Sequence, residues 1–193
     1  MKAELFLELR RQAVHAFGIV VAIGVMFLPQ EVYIGGLESV LIFFVLLSVY
    51  KAGKFVFIGR IGKLFLLFAK KFERPGELLL RGPIMFFAGA TITAIIFPSA
   101  VAAAGIAVLA LGDSASTIIG KTYGKHKIPW EGNRSWEGSI AFFIFALAAC
   151  LLFQIPVQKA FAAAVLSAII ETIPILDDNL TVPIAAAAAI QLF

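Results

Sequence analysis

Apolar runs of roughly bilayer length, broken by short polar stretches, leave this chain few ways to fold. About 20 residues of helix cross a hydrocarbon core. On that measure seven stretches are candidate spans, at approximately 12–29, 32–50, 82–98, 99–119, 136–154, 159–174 and 180–193. Inside a bilayer every backbone N–H and C=O must be satisfied within its own segment, which makes helices the available structure. Composition agrees. The 193 residues are 61% apolar and 15% charged, where a soluble domain has about 45–50% and 25%. The expected class is an all-α integral membrane protein of about seven transmembrane helices, with residues 1–193 forming one polytopic domain. Residues 1–10 are charged and amphipathic, and no small-residue cleavage site follows the first apolar run, unlike a signal peptide. A single cysteine, Cys150, excludes an intrachain disulfide and a thiolate cluster.

The lysines and arginines orient these spans. Lys2, Arg10 and Arg11 precede the first, and residues 51–81 carry Lys51, Lys54, Arg60, Lys63, Lys70, Lys71, Arg74 and Arg81. Lys121, Lys125, Lys127 and Arg134 lie before the fifth. With seven spans, all of the 16 cations except Lys159 fall on one side, which the positive-inside rule makes cytoplasmic. The amino terminus is then inside and the carboxyl terminus outside. The 51–81 stretch alternates its cations with Phe55, Phe57, Ile61, Leu64, Phe65, Leu67 and Phe68, the pattern of a cytoplasmic amphipathic segment lying in the membrane interface. The expected location is a cell membrane or an ER-like membrane.

This topology gathers the conspicuous polar residues on the cytoplasmic face. Arg11 and His15 begin span one, Glu77 and Arg81 precede span three, and 112–139 joins spans four and five. Glu171 ends span six, and Asp177-Asp178-Asn179 leads into span seven. Acids placed at membrane depth mark functional sites. With span four ending near Ile118 or Ile119, Asp113 lies about 8–9 Å below that end at 1.5 Å per residue. Asp113, Thr117 and Lys121 are spaced i, i+4, i+8 and share one helix face. Gly112, Ala115, Ser116 and Gly120 are small enough for a ligand or helix to approach, and Gly124 and Gly132 suit turns with positive φ. Lys121, Lys125, His126, Lys127 and Arg134 supply charge beside peptide groups, the chemistry of a polyphosphate site. Ser135 is placed to cap span five. Asp113, Glu171, Asp177 and Asp178 are hard oxygen ligands beside such a site, which points to Mg²⁺. The plainer reading of Asp113 is an ion pair with Lys121 or Arg134, and that of Asp177-Asp178-Asn179 is a helix cap. Residues 115–122 read A-x-x-x-x-G-K-T, one glycine short of a P-loop and with no strand before them. Two histidines, His15 and His126, do not make a zinc site.

Taken as a pattern, Gly112-Asp113-Ser114-Ala115, Gly120, Gly124 and Arg134-Ser135-Trp136-Glu137-Gly138-Ser139 resemble the nucleotide-binding region of the CTP-dependent lipid kinases, the group of dolichol kinase, phytol kinase and CTP-dependent diacylglycerol kinase. Arg11, His15, Gly82-Pro83, Glu171 and Asp177-Asp178-Asn179-Leu180 extend the likeness over most of the chain. Arg134 departs from it, since lysine is more usual there; both are cations, and arginine binds phosphate bidentately.

The resemblance implies transfer of the γ-phosphoryl of CTP to a membrane lipid alcohol, a polyprenol such as dolichol or geranylgeraniol or a similar isoprenoid. It implies that Asp113 with Asp177 or Asp178 holds Mg²⁺, and that Lys121, Lys125 and Arg134 neutralise phosphate oxygens. Amides near 135–138, with Glu137 and Gly138, would cradle the phosphates, and Asp178 or Glu171 would accept the hydroxyl proton. The partners are CTP, the alcohol and the bilayer, with no nucleic acid. Small-residue faces at 102–105 and 162–164 could pack within one chain or between two copies. The alternative is a CTP:lipid-phosphate cytidylyltransferase, which shares the loop but carries a serine–Lys-Arg–Lys-Asp block and a Gly-Gly-x-x-Asp-Arg-x-Asp segment that this sequence lacks. A transporter fits less well, because polar groups keep to one face instead of running through the midplane.

Overall fold

The computed structural model describes residues 2–51, 60–69, 80–174 and 177–193. In chain order these form α1 (Lys2–Ala16), α2 (Gly18–Phe27), α3 (Gln30–Lys51), α4 (Arg60–Ala69), α5 (Arg81–Ile96), α6 (Ser99–Tyr123), β1 (Lys127–Ile128), β2 (Glu131–Ser135), α7 (Trp136–Leu152), α8 (Val157–Glu171) and α9 (Asp178–Leu192). A helix stands at each of the seven expected stretches. Among the described residues, three segments are long and apolar enough to cross a membrane: Phe6–Phe27, which joins α1 and α2, Gln30–Lys51 and Ser99–Tyr123. Helices α5 and α7 are apolar but shorter. Of the basic 51–81 segment, α4 is described, whereas Lys54, Lys70, Lys71, Arg74 and Glu77 lie outside the described residues.

Two expectations need correction. The chain is not purely helical: β1 and β2 pair antiparallel, with Lys127 opposite Ser135 and Ile128 opposite Glu131. Pro129-Trp130 makes the turn, proline being pre-set for a turn's first corner, and the buried Ile128 anchors the hairpin. Helix α6 also runs on to Tyr123 instead of ending near Ile119. Asp113 therefore lies about 15 Å from the helix end at 1.5 Å per residue.

α6 is the axis. It packs against α7, α2, α9, α1 and α5, and Ala102, Ala103, Ala104, Gly105, Ile106, Ala107, Val108, Leu109 and Ala110 are all buried. The small-residue face at 102–105 is thus used inside the chain. Such residues let helix backbones approach where lipid supplies no hydrophobic drive. At Gly105 the approach is closest to α9: an added Cβ would sit 2.6 Å from the Pro183 carbonyl oxygen. Apolar side chains on the outer faces, among them Phe17, Phe27, Ile42, Ile96, Ile144 and Leu152, are exposed, as lipid-facing groups are.

Candidate active site

Six helices and the hairpin bring their polar ends to one place. On α1, Glu8, Arg11, Gln12 and His15 recur at i, i+3, i+4 and i+7 and so share a face. That face meets α6: the Ser114 hydroxyl, which donates to the Ala110 main-chain oxygen at 2.7 Å, lies 3.2 Å from the main-chain oxygen of Gln12, and the buried Glu8 carboxylate pairs with Lys121. Glu8 also accepts from Gln12 Nε2 at 2.9 Å and lies 3.5 Å from Arg11. From α6, Asp113, Ser116, Thr117, Gly120 and Lys121 face a cavity of about 390 Å³. Arg11 and Gln12, Arg81 and Gly82, Asn133 to Ser135, Gly138 and Ser139, Glu171, and Asp177 to Asn179 complete its wall.

Almost every charge in that wall has an opposite partner on another element. Arg134 is the hinge of the arrangement, one guanidinium nitrogen on Glu171 at the end of α8 and another on Asp178 at the start of α9. Glu171 is 2% exposed and also accepts from Ser116 at 3.1 Å and Ser139 at 3.4 Å. Arg81 Nε donates to Asp177 Oδ2 at 3.1 Å, while Asp177 Oδ1 caps α9 by accepting from the Asn179 amide at 3.2 Å. Asp113 is paired neither with Lys121 nor with Arg134. Its partner is His15, Nε2 to Oδ2 at 3.4 Å. Burial pushes the Asp178 carboxyl up to about 6, against the pull of Arg134 and with the help of the negative Asp113 and Asp177.

Several residues singled out by sequence stand outside the wall. Gly112 lies under the Phe142 ring, with room for no side chain. Lys125 and Glu137 build the hairpin's base: Glu137 accepts from the Lys125 amide at 3.2 Å, the His126 amide at 3.3 Å and His126 Nδ1 at 2.7 Å. Gly124 has φ −67°, not a positive value, and no left-handed φ occurs at Gly132. Gly124 is glycine because a Cβ would collide with the Gly120 carbonyl and lie 2.5 Å from Ser135 Oγ. Ser135 does cap α7, accepting from the Gly138 amide at 3.2 Å. Residues 115–122 are helical throughout, so they are not a phosphate loop. Glu8 and Gln12 escaped the sequence reading, although their i, i+3, i+4 spacing with Arg11 was a usable signal.

A divalent cation fits the donor chemistry. Asp113, Asp177 and Asp178 line one cavity, beside an Asn179 Oδ1 that is buried and, among the described residues, unpartnered. No three acids or histidines among the described residues already stand at metal-ligand spacing. Mg²⁺ is commonly held by one or two carboxylates together with substrate phosphates, and this wall suits such shared binding.

No protein-family model matches the sequence, and no solved structure does. Curated proteins match it at modest identity. The chain is 31% identical over 139 residues to probable phytol kinase 1, chloroplastic, of Oryza sativa subsp. japonica, a match covering 62% of this chain and 44% of the rice protein. It is 30% identical over 139 residues to phytol kinase 1, chloroplastic, of Arabidopsis thaliana, covering 62% and 46%. Over 140 residues it is 30% identical to the farnesol kinase, chloroplastic, of the same plant, again covering 62% and 46%. The chain spans less than half the length of these relatives. Over the matched region it is similar to proteins named as phytol and farnesol kinases.

Proposed function

We propose that this chain phosphorylates a membrane-embedded isoprenoid alcohol, taking the γ-phosphoryl group of CTP, from an active site on the cytoplasmic side of a seven-span, N-in membrane domain. One observation carries the reading: a single cavity is lined by four carboxylates, Asp113, Glu171, Asp177 and Asp178, and by four cations, Arg11, Arg81, Lys121 and Arg134. Phosphoryl transfer asks a protein for positioning and charge neutralisation above all, and those are the means this wall offers. The relatives named as phytol and farnesol kinases supply the acceptor class.

In this mechanism Lys121, Arg81 and Arg134 exchange their carboxylate partners for phosphate oxygens. Asp113 and the freed Asp177 would hold Mg²⁺, whose charge would neutralise the phosphate oxygens. Glu171 has both oxygens engaged and acts as a positioning residue that keeps Arg134 and Ser116 in place. Asp178 is the better candidate to receive the hydroxyl proton, because its raised pKa suits proton exchange near neutrality. The hydroxyl oxygen attacks the γ-phosphorus, the bond to the β-phosphate oxygen breaks, and CDP leaves.

The test uses the full chain in detergent with CTP labelled at either the α- or the γ-phosphate and with farnesol or phytol as acceptor. Label from the γ position is expected in the lipid, and chelation of divalent cations should stop the transfer. Label from the α position with release of pyrophosphate would replace the kinase with a cytidylyltransferase.

A further inference from the structure

Two buried side-chain oxygens of the cavity wall share an anomaly: Gln12 Oε1 and Asn179 Oδ1 have no hydrogen-bond partner among the described residues. A buried acceptor left unsatisfied is costly, so in a cavity wall it is a place for a ligand's hydrogen-bond donor. Gln12 is the most telling. It is 5% exposed and lines the cavity. Its Nε2 is committed to the Glu8 carboxylate at 2.9 Å, which fixes the amide's orientation, since a carboxylate accepts only from the NH₂ end. The carbonyl end is therefore aimed away from Glu8 with nothing to accept. An ionised phosphate offers no hydrogen and cannot satisfy it. A hydroxyl can.

We propose that Gln12, with His15 beside it on α1, forms the subsite for the acceptor's hydroxyl group, Gln12 Oε1 accepting the hydroxyl hydrogen in the bound alcohol before that hydrogen turns to Asp178 for the transfer. The inference rests on the kinase reading and deepens it. The two side chains stand one turn apart on α1, where i and i+3 residues are neighbours. His15 lies 3.4 Å from Asp113, which ties the subsite to the phosphate side of the cavity. On its other side the surroundings are apolar. The His15 ring meets Phe86 edge-on at 5.6 Å between centroids, and Val14 and Phe17, its neighbours in sequence, are exposed on the outer surface. An acceptor waiting for a hydroxyl, next to a greasy exterior, suits an amphiphile that enters sideways from the membrane. Asn179 Oδ1 lies among the carboxylates and is left to the cation.

The experiment measures two things on the full chain in detergent micelles: equilibrium binding of tritiated farnesol without nucleotide, and steady-state phosphorylation with farnesol and CTP varied independently. Gln12→Leu is expected to weaken farnesol binding and raise the KM for farnesol at least tenfold, while the KM for CTP stays within twofold. His15→Phe, which keeps a ring against Phe86, should shift the farnesol KM in the same direction. Melting temperatures and CTP affinity within error of wild type establish that both variants are folded. A rise in the CTP KM with no change for farnesol would assign Gln12 to the nucleotide and overturn the subsite. No change in either would mean that water fills the gap, which also overturns it. If wild type binds farnesol through Gln12 yet transfers no phosphate, the subsite stands and the kinase reading fails.

Discussion

The two halves of α6 share one helix and little else. From Ala102 to Ala110 every residue is buried and most are small, and there is no polar side chain to satisfy. Shape alone decides what fits there. From Asp113 to Lys121 the same helix faces a cavity, and its charged groups meet α1: Asp113 lies against His15 and Lys121 pairs with Glu8. The first half should tolerate losing a charge it never had and reject any added atom. The second should tolerate small changes of volume and reject any change of charge. A fold whose packing and chemistry are so divided along one element lets each be perturbed with little effect on the other.

The sharpest break comes from Asp113→Asn, which alters charge and almost no volume. Phosphoryl transfer to farnesol is expected to fall by about 10²–10³-fold, the scale on which electrostatic groups at a reacting centre act. The melting temperature should hardly move, and CTP binding should remain measurable by calorimetry. Full activity would remove Asp113 from the chemistry. Gly105→Ala is the converse. Its new methyl group meets the Pro183 carbonyl at 2.6 Å, and such overpacking costs about 1–3 kcal/mol. The denaturation midpoint should drop while the KM for CTP in the folded fraction is unchanged. A shifted KM with unaltered stability would show that the two halves are not separable.

Arg134→Lys is a milder probe of the charged half. Arginine reaches Glu171 and Asp178 at once, and an ammonium group cannot reproduce a planar fork. About a tenfold fall in kcat/KM is expected, near 1.4 kcal/mol. An Arg134→Ala chain should lose more, because Glu171 would be left buried without its cation. Equal activity of Arg134→Lys and wild type would mean that only the charge counts there.

Much of the fold was legible because hydrophobic runs and charge placement are read one segment at a time. The helices stand where the apolar stretches were drawn, and the polar ends at Arg11, Asp113, Glu171 and Asp177 do converge. What the sequence could not convey was pairing. Nothing local says that Lys121 answers Glu8 and not Asp113, or that Arg134 spans two helices, since those choices are made by helix packing. The hairpin was missed because a two-residue strand has too little periodicity to register beside long helices. Gly124 was read as a turn glycine on general preference, whereas its reason lies in the nearness of Ser135 and Gly120.

Ser135 sits on the border between packing and chemistry, which makes it the finest test of the division. Its hydroxyl caps α7 through the Gly138 amide, and the close approaches of Gly120 and Gly124 are to that same oxygen. If capping is its whole role, Ser135→Ala costs about 1 kcal/mol of stability, read as a lower denaturation midpoint, and raises the KM for CTP by less than about threefold. If the hydroxyl also donates to a phosphate oxygen, the lost bond to a charged group is worth about 1.5–3 kcal/mol, and the KM for CTP rises at least tenfold. Gly138→Ala separates the two again. A Cβ there would lie 2.9 Å from the Ser116 carbonyl and 3.3 Å from Ser135 Oγ, so it disturbs the cap without removing the hydroxyl. Stability falling in both variants, with the KM for CTP rising only in Ser135→Ala, would move Ser135 from the packed side of the boundary to the reacting one.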